Sequence, residues 1–262
     1  MNKYIIALGI ILGMLNISPA LCDVFQGGVI KQGVNDTNKV IDSSTRSPIS
    51  GARISMPQDN YSTYTDSEGR FDLDSDINGK TVMSVEKAGY KPYSITIDET
   101  AKAHPLVLGI EKSTPKDIAI ETSMLHIGDN NFSDNSANAR DFQVKSVGPY
   151  YSKNFKIPSI AQNSRTELII GSIIGIDTRM AKSMGQNKIT NAYSSPPEVY
   201  FNGSKIAEIQ VNGDGQKIRI PNNLIKSNQQ NEVTIKTGRN LMQTAYTDYD
   251  DIEFMNLLIE TN

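Results

Sequence analysis

The chain of 262 residues contains no tryptophan, one cysteine and two histidines, and each shortage excludes a class of site. A single cysteine cannot form a disulfide within the chain. The histidines lack the His-Glu spacing of a zinc peptidase. The sequence also contains no Gly-x-Ser-x-Gly nucleophile elbow and no phosphate-binding loop. We therefore expect a non-catalytic protein.

The sequence also lacks a large excess of positive or negative charge, and it has few long apolar runs. The 26 Lys and Arg nearly balance the 29 Asp and Glu, which gives a net charge of −3. No basic run of the kind that binds nucleic acid or an anionic membrane is present. After residue 22 no apolar segment reaches the roughly 20 residues that a membrane-spanning helix needs. We expect neither a nucleic-acid partner nor an integral membrane segment in the mature chain.

Residues 1–22 have the anatomy of a secretory signal peptide. Lys3 precedes an almost continuous apolar run over residues 4–17, and small residues follow at the cleavage position. Residues 19–21 (PAL) match a lipoprotein signal poorly, so cleavage after Cys22 is favoured over lipidation of Cys22. A mature chain without cysteine predicts a bacterial exported protein that is periplasmic, secreted or located at the cell surface.

Residues 24–112 alternate between short apolar-polar segments and Gly-containing turns, with no helical periodicity. About seven strands at this spacing predict an antiparallel β-sandwich. Three motifs in this stretch, at residues 48–54 (PISGARI), 65–73 (TDSEGRFDL) and 85–90 (VEKAGY), resemble the carboxypeptidase regulatory-like domain. The resemblance covers residues 26–111. It implies a transthyretin-like, seven-stranded β-sandwich that serves as an accessory module in exported bacterial proteins.

A polar segment at residues 113–117 (STPKD) marks the predicted linker between two domains. A second all-β pattern follows over residues 118–262, with a hairpin turning at Asn202-Gly203. Residues 178–197 are predicted to be a long polar connection. The final stretch, residues 246–260, ends in an apolar segment that must be paired inside a sheet to be buried.

The order of motifs in this second part resembles the galactose-binding-like jelly rolls, which include many carbohydrate-binding modules. The carrying residues are the hairpin at 201–203 (FNG), Ile220-Pro221 with Leu224-Ile225, the strand at 231–235 and the closing segment 250–254 (DDIEF). The resemblance implies an all-β jelly roll. It also implies a structural calcium ion, which such domains often hold between an early loop and the final strand.

Calcium prefers six to eight oxygen ligands, and two segments supply such oxygens. The early loop offers Asp129, Asn131 and Asp134, and the closing stretch offers Asp248, Asp250, Asp251 and Glu253. In a strand, Asp251 and Glu253 project to the same face, away from Ile252 and Phe254. The alternative is that these acids are solvated turn residues.

Sugars bind on aromatic rings, with amides, carboxylates and cations holding their hydroxyl groups. The candidate glycan-binding residues of the second domain are Tyr150, Arg179, Asn191, Tyr193 and Tyr246. Tyr193 is favoured because it lies in a predicted loop. The alternative is that these tyrosines are strand and rim residues, and the chain lacks tryptophan, which has the largest stacking face.

These patterns predict an exported, non-catalytic binding protein whose jelly roll recognises a polysaccharide or glycoconjugate and holds a structural calcium. An envelope structural or adhesive protein, whose domains dock a protein partner, is the alternative. A hydrolase would require a deep acidic cleft. Asp250 and Asp251 are poorly placed as a catalytic pair, because adjacent residues in a strand point to opposite faces.

Overall fold

The computed structural model describes residues 37–74, 76–77, 79–102, 104–129, 144–159, 164–187 and 193–262. The predicted signal peptide lies outside these residues. Strands make up most of the regular structure, so the predicted all-β class is confirmed. Within the described part of the chain, no helix has the length and apolar character needed to cross a membrane.

The N-terminal unit contains seven strands that form two sheets. They are β1 (Asn38–Asp42), β2 (Arg53–Met56), β3 (Tyr61–Tyr64), β4 (Arg70–Phe71), β5 (Thr81–Glu86), β6 (Tyr93–Ile97) and β7 (Val107–Ile110). One sheet has the order β4-β1-β7 and the other β3-β2-β5-β6. The prediction of an antiparallel sandwich was wrong for one pair, because β1 and β7 run parallel. Short 3-10 turns occupy Pro57–Asp59 and Glu99–Lys102.

The described residues of the C-terminal unit form the remaining strands and one short helix. They are β8 (Ile118–Glu121), β9 (Leu125–Ile127), β10 (Tyr150–Lys156), β11 (Thr166–Ile174), α1 (Arg179–Ser183), β12 (Glu198–Phe201), β13 (Ser204–Glu208), β14 (Gly213–Ile220), β15 (Gln230–Lys236) and β16 (Ile252–Thr261). A 3-10 turn follows at Asn222–Leu224. One sheet has the order β14-β11-β16-β8 with β9 also on β16, and the other β10-β15-β12-β13.

The predicted polar connection at 178–197 contains α1, which sequence periodicity missed because the helix has only five residues. Thr178 explains where it begins: its hydroxyl oxygen accepts a hydrogen bond from the Ala181 amide at 3.0 Å, which caps the helix. The predicted hairpin at Asn202-Gly203 is confirmed, since it joins β12 to β13.

Two separate hydrophobic cores lie on either side of residues 113–117 in the sequence. The N-terminal core is built around side chains such as Ile54, Val85 and Leu108. The C-terminal core lies between the two sheets of that unit, where Phe254 of β16 meets the edge of Tyr151 with ring centroids 6.0 Å apart. Each core gathers apolar residues from strands that are distant in sequence.

The closing strand β16 is paired inside a sheet, as predicted, between β11 on one side and β8 and β9 on the other. All ten of its residues are buried. One face packs into the C-terminal core, and the other faces the N-terminal unit, where Met255 joins Val82, Met124 and Ile174.

Polar contacts complete this interface between the two units. Gln58 Nε2 donates to Glu253 Oε2 at 2.6 Å, and Thr96 Oγ1 donates to Asp214 Oδ1 at 2.8 Å. Gly171 of β11 permits the close approach of β6, because a Cβ atom there would collide with Ser94 Oγ. Hydrogen bonds and a close backbone approach therefore both join the two units.

Lys91 is the main cation of the interface. Its ammonium group donates to Glu260, whose side chain is 1% exposed, and to Glu111 at 3.0 Å. Burial opposes the charge of Lys91, but the hydrogen bonds that it donates to Glu260 and Glu111 outweigh the burial and raise its pKa. The closing strand thus carries a buried carboxylate that is neutralised by the other unit.

We expect Lys91→Met to lower the free energy of unfolding by about 3–5 kcal/mol, because it leaves the Glu260 carboxylate buried without its cation. Lys112→Met is the matched control: Lys112 has a side chain 67% exposed and lies 3.9 Å from Asp42. It should cost less than about 1 kcal/mol. Urea unfolding followed by circular dichroism measures both, and equal effects would contradict the role given to Lys91.

Candidate functional site

A groove of about 850 Å³ lies on the outer face of the sheet β10-β15-β12-β13. Val199, Phe201, Val233 and Ile235 point into the core, so their neighbours along β12 and β15 face outward. The lining side chains are aromatic, acidic, basic and hydroxyl-bearing. They include Tyr150, Tyr200, Tyr249, Glu198, Glu208, Glu232, Lys236, Arg239, Ser152 and Thr234.

Strand register sets the order of these groups across the floor of the groove. Lys236 pairs with Tyr150 of β10 on one side and with Glu198 of β12 on the other. The next outward row joins Ser152, Thr234 and Tyr200, in which Ser152 Oγ and Thr234 Oγ1 lie 2.6 Å apart. Residues distant in sequence therefore form two parallel rows on one face.

Gly238 shapes one end of the groove. A Cβ atom at this position would overlap the carbonyl oxygen of Ser195, so only glycine lets the two backbone segments lie in contact. Beside it, Ser195 N donates to the Arg239 carbonyl at 2.9 Å, and Arg239 also bridges to Tyr249. This packing brings Arg239 and Tyr249 to the groove beside Tyr150.

On β12, across Lys236 from Tyr150, Glu198 is the centre of a hydrogen-bonded group. Its carboxylate accepts from Lys205 Nζ at 2.6 Å and from the Tyr200 hydroxyl at 2.7 Å. Lys205 also donates to Glu208 at 2.6 Å. Lys205 and Tyr200 hold the pKa of Glu198 below its usual range, so Glu198 is ionised at neutral pH. The Tyr200 ring lies 4.4 Å below Lys236 Nζ.

The candidate glycan-binding residues divide between two places. Tyr150 lines the groove and is 57% exposed. Tyr193 and Arg179 lie together beside α1: Arg179 Cζ is 5.6 Å from the Tyr193 ring centre, and Lys182 Nζ is 4.6 Å from it. Tyr246 is 56% exposed and, like Tyr193, is absent from the groove lining. Asn191 lies outside the described residues.

The structure therefore groups Tyr150 with Tyr200 and Tyr249 instead of with Tyr193 and Tyr246. Alternation along β12 could have identified Tyr200, because it stands between two apolar residues that point inward. Arg239 and Tyr249 carry no such signal, since they lie in irregular segments between β15 and β16. The sequence favours Tyr193 because it lies in a predicted loop. The groove is instead formed mainly by side chains on the outward face of a sheet.

The residues predicted to hold calcium also separate. Asp129 and Asp251 come together, and the Asp129 amide donates to Asp251 Oδ1 at 3.1 Å. Asp251 Oδ1 also lies 2.8 Å from His126 Nε2. Glu253 accepts from Gln58 at 2.6 Å. The carboxyl groups of Asp251 and Glu253 thus accept hydrogen bonds from N–H groups of the protein. This is the environment of a bound anion, not of a bound cation. Asn131 lies outside the described residues, as does Asp134.

Asp250 faces the opposite way, toward Asp177, whose amide donates to Asp250 Oδ2 at 3.3 Å. Burial and the neighbouring Asp177 carboxylate raise the pKa of Asp250 well above its ordinary value. Among the described residues, no group of three or more His, Cys, Asp or Glu is arranged to hold a metal ion. Calcium at this position stays a prediction.

His126 is fully buried, and both ring nitrogens have acceptors. Nδ1 lies 2.6 Å from the Val144 carbonyl and Nε2 lies 2.8 Å from Asp251 Oδ1. A backbone carbonyl can only accept a hydrogen bond and a carboxylate oxygen is an acceptor as well, so both contacts favour the protonated ring. Burial opposes this charge, but Asp251 and Val144 outweigh it and raise the pKa of His126.

Comparison with known proteins supports the first of the two resemblances. Residues 38–119 match the family described as CarboxypepD_reg-like domain, so this part of the chain carries that domain. None of the curated proteins compared with the chain matches it. The galactose-binding-like assignment of the second part stays a prediction.

The raised pKa of His126 predicts a pH-dependent stability. The stabilisation by the charged ring is complete below the ordinary pKa of 6.5 and is lost as the pH rises through the raised value in the folded protein. The raised pKa of Asp250 also makes the free energy of unfolding fall as the pH rises. The His126→Gln variant is therefore needed to isolate the contribution of His126. The free energy of unfolding should fall between pH 6 and pH 9 in the unaltered protein and fall less in the variant. Parallel curves would contradict this assignment.

Proposed function

We propose that this chain is an exported, non-catalytic binding protein that recognises a glycan in the groove of its C-terminal unit, a galactose-binding-like jelly roll. The observation that carries the proposal is the meeting of Tyr150, Tyr200 and Tyr249 in one groove with carboxylate, hydroxyl and cationic groups. The ligand is a polysaccharide or glycoconjugate chain, because the groove is open along the sheet.

The chemistry of the groove suits a sugar. Tyrosine rings offer flat apolar faces for the C–H faces of pyranose rings, and Tyr150 presents such a face 57% exposed to solvent. Ser152, Thr234 and Glu232 supply hydrogen-bonding oxygens for hydroxyl groups between the rings. An apolar platform with a few directed polar groups is the usual composition of a small-molecule site.

The acids of the groove support binding over catalysis. A glycoside hydrolase needs one carboxyl group kept protonated, with a raised pKa, to act as the general acid. Glu198 has the opposite shift, because Lys205 and Tyr200 stabilise its charged form. Lys205 pairs with both Glu198 and Glu208, and its contact with Glu198 opposes protonation of that carboxylate.

The alternative function, an envelope protein that docks a partner by strand addition, rests on β13. This strand is the outer edge of its sheet, and most of its residues are only partly buried or exposed. Exposed edges recruit partner strands. However, Lys205 and Glu208 on β13 form charged pairs, and charges on an edge oppose such pairing. The groove therefore supports the glycan proposal more strongly.

Calcium is retained in the proposal as a structural ion with Asp129 and Asp251 among its ligands, the two predicted acids that the fold brings together. The charged His126 ring beside Asp251 works against a cation on that face. No step of glycan recognition in the groove depends on calcium.

Tyr150→Ala and Tyr249→Ala should each weaken polysaccharide binding about tenfold or more, because each removes a stacking face from the groove. Tyr246→Ala is the matched control, since Tyr246 is equally exposed but outside the lining. Calorimetric titration against a panel of plant, bacterial and animal polysaccharides measures the effect. Failure of the unaltered protein to bind any of them would refute the proposal.

A calcium ion bound only by the folded protein must raise the melting temperature by mass action. Thermal unfolding in excess calcium and in excess chelator should therefore differ by several degrees, and Asp129→Asn should reduce the difference. Identical melting curves in the two solutions would remove calcium from the proposal while leaving the glycan groove intact.

A further inference from the structure

We propose that the glycan carries negative charge, as a uronic acid carboxylate or a sulfate ester, and that Lys236 and Arg239 bind this anionic group. This inference rests on the proposed function and names the class of sugar that the groove selects. It comes from two exposed cations in the lining of the groove that form no ion pair among the described residues.

Each of the two cations lies near aromatic residues of the groove lining. Lys236 ends β15 and pairs across the sheet with Tyr150. Arg239 follows after the close contact of Gly238 with Ser195, and its backbone bridges to Tyr249. Both cations are exposed and both line the groove.

The acids of the groove make their closest polar contacts with groups other than these two cations. Glu198 and Glu208 both pair with Lys205 at 2.6 Å, and Glu232 accepts from the Thr234 hydroxyl at 3.2 Å. Lys236 influences Glu198 electrostatically, but within the described part of the chain neither Lys236 nor Arg239 forms an ion pair.

Two further acids lie near Arg239 and Tyr249: the Asp129 carboxylate accepts from the Tyr249 amide at 3.2 Å, and the Asp248 carboxylate accepts from Asn240 Nδ2 at 3.0 Å. Lys236 thus lies between the two parts of the groove, in register with Glu198 and over the Tyr200 ring, whereas Arg239, on the Tyr249 side, has no ion-pair partner among the described groups to balance its charge. A carboxylate or sulfate on the ligand would supply the balancing charge.

The geometry of the two cations suits an oxyanion beside a sugar ring. The planar guanidinium of Arg239 can donate two parallel hydrogen bonds to a carboxylate or sulfate, and the Lys236 ammonium adds a point charge. Tyr150 and Tyr249 offer ring faces next to them. A net charge of −3 on the whole chain argues against general attraction to polyanions, so the selectivity must come from this local pair.

Calorimetric titrations of the full mature chain with polygalacturonate, dextran sulfate and unmodified dextran and xylan test the inference. We expect at least one anionic polymer to bind about tenfold more tightly than the neutral ones, with affinity falling as salt is raised. Preference for polygalacturonate identifies the carboxylate, and preference for dextran sulfate identifies the sulfate ester.

The variant K236Q/R239Q should lose about tenfold or more in affinity for the preferred anionic polymer and change little with neutral ones. The matched control K112Q/R219Q removes two exposed cations outside the groove and should bind as the unaltered protein does. Equal affinity for neutral and anionic polymers would overturn this inference but keep the proposed function. Binding to none of the polymers, here or in the wider panel, would overturn both.

Discussion

The burial of β16 on both faces is the constraint on which the rest of the structure depends. A strand with one face in solvent could leave its acids hydrated, but here every residue from Ile252 to Thr261 is buried. Each acidic side chain on the second face therefore needs a partner, because an isolated buried charge is very costly. The N-terminal unit supplies Gln58 for Glu253 and Lys91 for Glu260. The two units are thus coupled by charge neutralisation as well as by apolar packing.

The groove also depends on β16, through the face of this strand that packs into the C-terminal core. Phe254 packs against Tyr151, whose neighbour Tyr150 points outward into the groove. Just before β16, the Asp250 amide donates to the Gly238 carbonyl at 3.0 Å, which ties the start of the strand to the segment that carries Arg239. A substitution that destabilises β16 should therefore perturb both the interface between the units and the part of the groove that contains Arg239.

Much of this architecture could be predicted from the sequence, because period-2 alternation and turn residues are local signals. The hairpin at Asn202-Gly203 and the internal position of the last strand are examples. The groove could not be predicted, since it depends on which strands become neighbours: Tyr150 and Lys236 meet only through the register of β10 and β15. A tyrosine that seemed accessible in a loop, Tyr193, instead lies against Arg179 and Lys182.

The acidic stretch at the start of β16 suggests a bound metal cation when only its composition is considered. The fold gives less support to such an ion. Four acids within six residues look like one cluster, yet the period-2 geometry of an extended chain divides them. Asp250 turns to Asp177, whereas Asp251 turns to His126 and to the amide of Asp129. On one side burial and the Asp177 carboxylate raise the pKa of Asp250, and on the other Asp251 raises the pKa of His126. The surroundings of these acids are therefore other groups of the protein, and the cations proposed to select a ligand, Lys236 and Arg239, lie elsewhere, in the groove.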